Sequence, residues 1–464
     1  MLRVAVVGSG PSGVYTAQAL LEQSRVPDVR VHVLDRLPTP YGLVRYGVAP
    51  DHGKIKSLQS SLRAVLEDER ITFVGHVEVG GEGGLSPARL KELYHAVVYC
   101  VGAAADRPLA VPGEGLPGSF SATEFVSWYS AHPDAATSGF ALRARSAVVV
   151  GVGNVAVDVA RILARGAAEL RGTDVPRAAL DALGASRVRE VQMVGRRGPS
   201  QARFTTKELR ELGALPGARI TVDGAELALD PACATDPAAP EVPPLPAVVR
   251  RNLDVLRGWA ARPSAPADDT VRRIRLRFYL RPVELLERDG RVAGVRFART
   301  APDGAGGVRD TGAHEDIEAQ LVLRAVGYRG TPLPGLPFDP VTGTVPHEGG
   351  RVFRDGAASP GEYVAGWIKR GPTGVIGSNR SCAKETAAAL LADAPLLVGR
   401  EVSPDPLGAL RAEGLRPVEW DGWLSIERAE SALGRSLGRG QVKIPDWPGL
   451  LDAARGQGSR PGGA

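Results

Sequence analysis

The sequence predicts an α/β fold of two Rossmann-like dinucleotide-binding domains, the second inserted into the first. Three observations predict it. A strand, a glycine-rich turn and a helix open the chain at residues 2–24. The same order returns at residues 146–165. Residues 322–328, V-L-R-A-V-G-Y, then read as a crossing back to the first domain. The boundaries are expected at 1–107, 108–325 and 326–464, with the middle segment as the insert.

Each element follows from local pattern. Residues 2–7, L-R-V-A-V-V, are a short apolar run that suits a buried parallel strand. Residues 14–24 have helical periodicity, and V-R-V-H-V-L-D (29–35) is a second strand with a carboxylate at its end. A glycine-rich loop (37–53), a helix (55–67) and strands at 71–79 and 96–101 complete the first part. In the insert, a strand at 146–151 feeds a helix reaching about Arg165, and a strand at 188–194 ends in Gly195-Arg196-Arg197. Residues 230–247 and 262–269 are rich in Pro, Ala and Asp and read as loops or linkers. Strands are expected again at 272–279, 292–299, 317–323 and 362–365, and a helix over 379–392. The chain beyond about residue 400 reads as a mixed tail, with 455–464 fraying.

Composition narrows the function. The 464 residues exceed one hydrophobic core, and 43% hydrophobic with 23% charged residues is ordinary for a soluble globular protein. The net charge of +5 favours acidic partners. No long basic run with interleaved aromatics is present, so nucleic-acid binding is not expected. No apolar run approaches the ~18–20 residues of a membrane span. The three cysteines, Cys100, Cys233 and Cys382, form no C-x-x-C pair. A disulfide framework, a zinc site and an iron–sulfur site are therefore not expected; no resident metal is foreseen. The thiols are expected to be reduced, in a cytoplasmic setting, and a first strand starting at Leu2 leaves no room for a leader.

The first motif is G-x-G-x-x-G, at Gly8, Gly10 and Gly13. The first glycine permits a tight turn, the second lets backbone approach a pyrophosphate, and the third lets helix and strand pack closely. The helix N-terminus then faces the phosphates. Asp35 stands 22 residues after Gly13, at a strand end where an acid can bond ribose hydroxyls. The second motif is G-x-G-x-x-A, at Gly151, Gly153 and Ala156. Its acid is replaced by Arg196-Arg197. A carboxylate there would repel a 2′-phosphate; two guanidiniums would grip it, so NADP(H) is expected over NAD(H). Two dinucleotide sites imply two ligands, and FAD with NADPH is the economical pair. Disulfide reductases of this architecture need a cysteine pair beside the flavin, and this chain has none. The segment from Gly366-Trp367 to Gly377 precedes a helix whose positive end suits the pyrimidine edge of a flavin. Trp367 either covers a ring face or is an ordinary core tryptophan.

Four long blocks resemble one family. They are L-P-T-P-Y-G-L-V-R-Y-G-V-A-P-D-H (37–52), G-V-G-N-V-A-V-D (151–158), G-R-R-G-P-S-Q-A-R-F-T-T-K-E-L-R (195–210) and G-W-I-K-R-G-P-T-G-V-I-G (366–377). All resemble adrenodoxin reductase and its bacterial ferredoxin–NADP reductase relatives, collinearly from residue 1 to about 440. The resemblance implies FAD contacts at Ser12, Asp35, Leu43, Val79, Trp367, Gly374, Val375 and Ile376. It implies NADP contacts at Arg107, Val152, Gly153, Asn154, Val155, Arg196, Arg197 and Glu208, with Gly374 near both ligands. His52 and Asp158 match polar residues near the nicotinamide–flavin junction, and Glu211 is grouped with them. Of these, His52 is a candidate proton relay or a structural histidine, and Asp158 equally a helix-pairing residue. Two positions depart from the family: Asp35 stands where Glu is usual, and Ser12 where Ala is usual. Residues 230–270 fit poorly, in a region where the family keeps basic residues for its partner. Arg210 matches one of those, and Arg250, Arg251 and Arg257 are further candidates.

The function so implied is a ferredoxin–NADP reductase: hydride from NADPH to FAD, then single electrons to a small acidic iron–sulfur ferredoxin, with cytochrome P450s as one downstream use. The resemblance also implies a monomer. The competing readings are an NADPH-dependent flavoprotein oxidase, monooxygenase or diaphorase, and a non-catalytic dinucleotide-binding partner protein.

Overall fold

A computed structural model describes residues 1–135, 139–233, 245–263 and 271–456. The chain divides into two compact units. Met1–Ala105, Ser130–Ala136 and Tyr328–Ala464 form the first, and Asp106–Tyr129 with Thr137–Gly327 the second.

The first unit is built on a seven-stranded sheet. Its central strands, Ala96–Tyr99, Leu2–Val7, Val29–Leu34 and Ile71–Val74, are parallel and lie in that order. Ala357–Val364 adds parallel to Ala96–Tyr99, and the short strands Arg351–Arg354 and His347–Glu348 extend the edge antiparallel. The central strands are almost wholly buried because helices cover the sheet, which is why they read as continuous Val and Leu runs. The helices Pro11–Leu21 and Ser378–Leu397 pack on this sheet through Val14, Ala17, Ala383, Ala387 and Leu390.

The second unit has a six-stranded parallel sheet. Its order is Ser119–Ser121, Leu321–Arg324, Ser146–Val150, Glu190–Val194, Arg272–Arg277, Ala218–Val222. A separate three-stranded antiparallel sheet is formed by Leu280–Arg288, Arg291–Pro302 and Val308–Glu318.

Several elements differ from the sequence reading. The helix expected over 55–67 is two, Gly53–Lys56 and Leu58–Leu66. The strand expected over 71–79 stops at Val74, and Gly75 bridges instead to Val418. A helix, Ala247–Ala260, lies between two segments read as linkers; residues 234–244 and 264–270 of those segments lie outside the described residues. It is stabilised by an inward row of Asn252, Leu253, Leu256 and Trp259. The strand Leu280–Arg288 was also unforeseen; its Pro282 sits at a register shift, where a missing N–H costs no ladder bond. The tail contains three helices, Pro406–Ala412, Trp420–Ser436 and Trp447–Ala454, which bury Leu410, Trp423, Ile426 and Leu450. Of the stretch expected to fray, residues 457–464 lie outside the described residues.

The tail is anchored by charge as well as by apolar packing. Arg45, buried, donates to the fully buried Glu430 at 2.5 Å, and its guanidinium lies 5.1 Å from the Trp423 ring centroid. Glu430 also accepts from the Ile444 amide and Gln441. Lys443 donates to the carbonyls of Arg45 and Ser130. Residues 130–135 belong with this unit for that reason, and because Asp134 accepts from Arg36 and Trp447.

Burial holds two imidazoles of this unit down, to about 4: His32, which meets the Tyr94 hydroxyl, and His132, packed 5.0 Å from the Tyr46 ring. The unfolded chain, titrating near 6.5, binds more protons between those values, so stability is full above about pH 6.5 and falls toward pH 4. Each histidine should contribute about 1–3 kcal/mol of that loss. A pH series of melting curves on His132→Gln should show a shallower acid limb than wild type; an identical slope would remove His132 from this account.

Among the described residues, no helix is long and apolar enough to cross a membrane.

Candidate functional site

In the first unit the parallel register sets Val7, Leu34, Tyr99 and Val364 side by side. The residues that follow them therefore gather at one edge, Gly8, Asp35, Cys100 and Ala365, with Gly366 next after Ala365. Gly8 has φ +109°, and a Cβ there would lie 2.5 Å from the Cys100 carbonyl oxygen. A Cβ at Gly13 would lie 1.8 Å from the Gly8 oxygen, so only glycine lets this helix sit on this strand. Gly10 meets only the Gly42 Cα, at 3.9 Å, and its face is open to backbone approach.

Asp35 organises the rim. It accepts from the Ser9 amide at 2.8 Å, the Ser9 hydroxyl at 2.5 Å and the Leu37 amide at 2.9 Å. Enclosure pushes its carboxyl above the usual range, against those bonds. A carboxylate has about four acceptor sites, so capacity for a further donor remains. Tyr41 donates its amide to the Ser9 carbonyl, which carries the chain to Gly42 and to Leu43, 41% exposed at the start of the helix Leu43–Tyr46. Val77 donates its amide to the Asp35 carbonyl and so brings the following turn, with half-buried Val79, to the same rim. The structure thus gathers Gly8, Gly10, Ser12, Gly13, Asp35, Leu43 and Val79.

Gly366 joins them, since a Cβ there would lie 2.4 Å from the Ser12 hydroxyl. Trp367 begins a short helix, Trp367–Arg370, and lies 5.4 Å from the Tyr328 ring at a 32° tilt. Gly374 and Val375 are exposed, Val375 by 64%, and half-buried Ile376 leads into Ser378–Leu397. Burial pushes the Cys100 thiol up to about 12. Cys382 accepts from the Gly366 amide, and all three cysteines are unpaired.

These residues fit a flavin dinucleotide. The helix Pro11–Leu21 has no side-chain cap, in contrast to the helices capped by Ser86, Thr205 and Asp405. Its first amides are left for an anion. Among the described residues the buried Trp367 Nε1 has no acceptor, and the buried Ser12 hydroxyl has no hydrogen-bond partner beyond the Cys100 sulfur. Buried donors of this kind are rare unless a ligand or water serves them. His52 is buried just before Gly53–Lys56, and its backbone carbonyl accepts from Ile55 and Lys56.

In the second unit, Val150, Val194, Arg277 and Arg324 end side by side. Gly151 donates to the Val194 carbonyl, and Arg203 donates to that of Val152. The Asn154 side-chain oxygen accepts from the Thr205 amide, tying the glycine turn to the next helix, Thr206–Gly213. Half-buried Val155 packs on the core beside Ala156. Among the described residues, its chain neighbours apart, no atom lies within 4 Å of a Cβ on Gly153, and the helix Asn154–Ala164 has no side-chain cap. The fold does not demand glycine here, whereas a close pyrophosphate does.

Arg196 and Arg197 follow directly, exposed and half-buried, their carbonyls fixed by the Thr300 hydroxyl and the Tyr279 amide. Among the described residues neither guanidinium has a carboxylate partner. That fits a phosphate. Arg107, exposed, donates its amide to Gly327. Glu208 is buried on the helix that carries Glu211. Asp158 accepts from Arg161 at 2.6 Å, and Arg161 lies 3.8 Å from Glu211. Sequence reading missed Arg161, although its i+3 spacing from Asp158 was a usable signal.

Comparisons with known proteins agree with this geometry. Residues 2–211 match the family described as Pyridine nucleotide-disulphide oxidoreductase. The chain is 44% identical to "NADPH-ferredoxin reductase FprA" of Mycobacterium tuberculosis over 97% of this chain and 98% of that protein. It is 38% identical to "NADPH:adrenodoxin oxidoreductase, mitochondrial" of Arabidopsis thaliana, over 98% and 95%. The solved structure "Mycobacterium tuberculosis FprA in complex with NADPH" matches with a TM-score of 0.87 at 42% identity, over 98% of this chain and 99% of that one.

Proposed function

The chain belongs to the family of the NADPH–ferredoxin and adrenodoxin reductases, and from that membership we propose that it is an FAD-dependent ferredoxin–NADP reductase. The observation that carries the reading is the pairing of two uncapped glycine-loop helices, one with an acid at its strand end and the other with two arginines that have no carboxylate partner among the described residues. FAD and NADPH, when bound, would supply hydride transfer and the release of single electrons. The chain does the positioning. Gly8 to Gly13 and Asp35 hold the flavin dinucleotide by phosphate and ribose, and Trp367 with Gly374 to Ile376 borders its ring. Gly151 to Val155 hold the pyrophosphate of NADPH, and Arg196 and Arg197 its 2′-phosphate, with Arg107 and Glu208 as further contacts. His52, Asp158 and Glu211 are the polar groups assigned to the hydride-transfer region, with Arg161 holding the two acids.

The acceptor is a small acidic iron–sulfur ferredoxin. Arg210, Arg250, Arg251 and Arg257 support this: all are exposed, and their two helices are joined by Asn252, which bonds Thr206 and Phe204. Docking of this kind weakens with salt. The protein works as a monomer in the cytoplasm, a setting that suits three unpaired thiols.

The test is cytochrome c reduction by the purified yellow protein, with and without ferredoxin. A large ferredoxin-dependent rise with NADPH, much weaker with NADH, is expected. Flavin bleaching with fast oxygen consumption and no ferredoxin effect would replace this reading with an oxidase or diaphorase.

A further inference from the structure

The first unit buries an ammonium within the segment assigned to the flavin ring. Lys369 has a side chain only 3% exposed, in the short helix between Gly366 and Gly371. Its Nζ lies 3.1 Å from the Thr386 hydroxyl and 3.0 Å from Glu385. Thr386 in turn donates to the Val364 carbonyl at 2.9 Å, at the end of the strand that delivers Gly366. The backbone is held from the other side: Val345 donates to the Ile368 carbonyl, and His347 sits 3.2 Å from the Lys369 carbonyl. Gly350 leaves room for this arrangement, since a Cβ there would lie 2.6 Å from the Thr386 oxygen.

Burying an ammonium is costly, and a Met or Leu would fill the same space with no charge to desolvate. The compensating carboxylate is an uneven match. Glu385 is 58% exposed, so solvent screens its charge far more than that of Lys369. The pair therefore presents a net positive field toward its buried side.

We infer that Lys369 is a positioning residue that both fixes the Trp367–Arg370 turn and biases the bound flavin toward its reduced state. This rests on the flavin reading of the 366–376 segment. Hydride transfer moves two electrons and one proton from NADPH, which becomes NADP+, and leaves the flavin one negative charge richer. A fixed positive charge nearby favours that product over the oxidised form, and so raises the midpoint potential.

The experiment is spectroelectrochemical titration of the holoenzyme in wild type, Lys369→Met and Glu385→Gln. Lys369→Met should shift the midpoint potential negative. Glu385→Gln, which leaves the ammonium without its counter-charge, should shift it positive, by less. Lys369→Arg should hold close to wild type. Loss of a merely structural clamp would not move the two variants in opposite directions. Shifts of the same sign, or none in either variant, would overturn the inference. If Lys369→Met fails to fold or to retain flavin, the exposed Glu385→Gln decides alone: an unmoved or negative shift overturns it. A wild-type protein without NADPH-reducible flavin would remove the underlying function instead, a result visible before any variant is compared.

Discussion

Gly13→Ala should abolish flavin retention, while Gly153→Ala should leave the protein folded and yellow but weaken its use of NADPH. Gly13 is the third position of its motif and Gly153 the second of its own, and they are needed for different reasons. At Gly13 a Cβ would stand 1.8 Å from the Gly8 oxygen and 3.2 Å from Val6 Cγ1. Neither neighbour is a flexible side-chain end, so the helix Pro11–Leu21 would have to lift from the strand Leu2–Val7. Overpacking of this kind costs about 1–3 kcal/mol and sometimes more, enough to lower flavin occupancy tenfold or beyond. At Gly153, among the described residues and its chain neighbours apart, no atom lies within 4 Å of the added methyl. Stability should fall by no more than about 1 kcal/mol, the difference between Gly and Ala at a helix N-cap. The KM for NADPH should nonetheless rise about tenfold or more, because the methyl stands where pyrophosphate approaches. Flavin content, melting temperature and KM measured side by side separate the two effects. A Gly153→Ala protein with an unchanged KM would mean that the second loop does not carry a pyrophosphate.

The double variant Arg196→Ala/Arg197→Ala should lose about 10²-fold or more in kcat/KM for NADPH. With NADH it should change by less than about threefold. Hydrogen bonds to charged groups contribute about 1.5–3 kcal/mol each, and a 2′-phosphate offers partners to both guanidiniums. The structure strengthens the expectation, because both carbonyls are pinned, to Thr300 and Tyr279, while the guanidiniums have no carboxylate partner among the described residues. Charge removal should therefore act on the nucleotide and not on an internal ion pair. A nucleotide preference that survives the double change would place the 2′-phosphate elsewhere.

What the sequence made legible was local. Within each unit the glycine turn, the acid or the arginine pair at a strand end, and the apolar runs of the parallel strands lie within a few dozen residues of one another. Their spacing is enough to set them at one edge of that unit's own sheet. What escaped was of two kinds. Some elements were masked by their surroundings: Ala247–Ala260 sits between stretches rich in proline and alanine, and Leu280–Arg288 contains a proline. The helix Trp420–Ser436 shows inward positions at Trp423, Ile426, Glu430 and Gly434, but one of the four is an acid, which breaks the apolar stripe. The other kind has no local signature. Glu430 is buried because Arg45 meets it, 385 residues away in sequence. Lys369 reads as one more basic residue in a loop until Thr386 and Glu385 are placed beside it. The candidate site was thus readable where backbone geometry dictates residue type, and not where charges are paired across the fold.

The Arg45–Glu430 pair has a consequence for the order in which the protein is made. Arg45 lies in the helix Leu43–Tyr46 and leaves the ribosome long before Glu430 and Lys443, which bond its guanidinium and its carbonyl. Until they emerge, the 41–46 turn holds a cation with nowhere dry to go, and it stays open to water. The dinucleotide loop at residues 8–13 can form from its own neighbourhood, but the 41–46 turn beside it closes only once the segment that carries Glu430 and Lys443 has joined it.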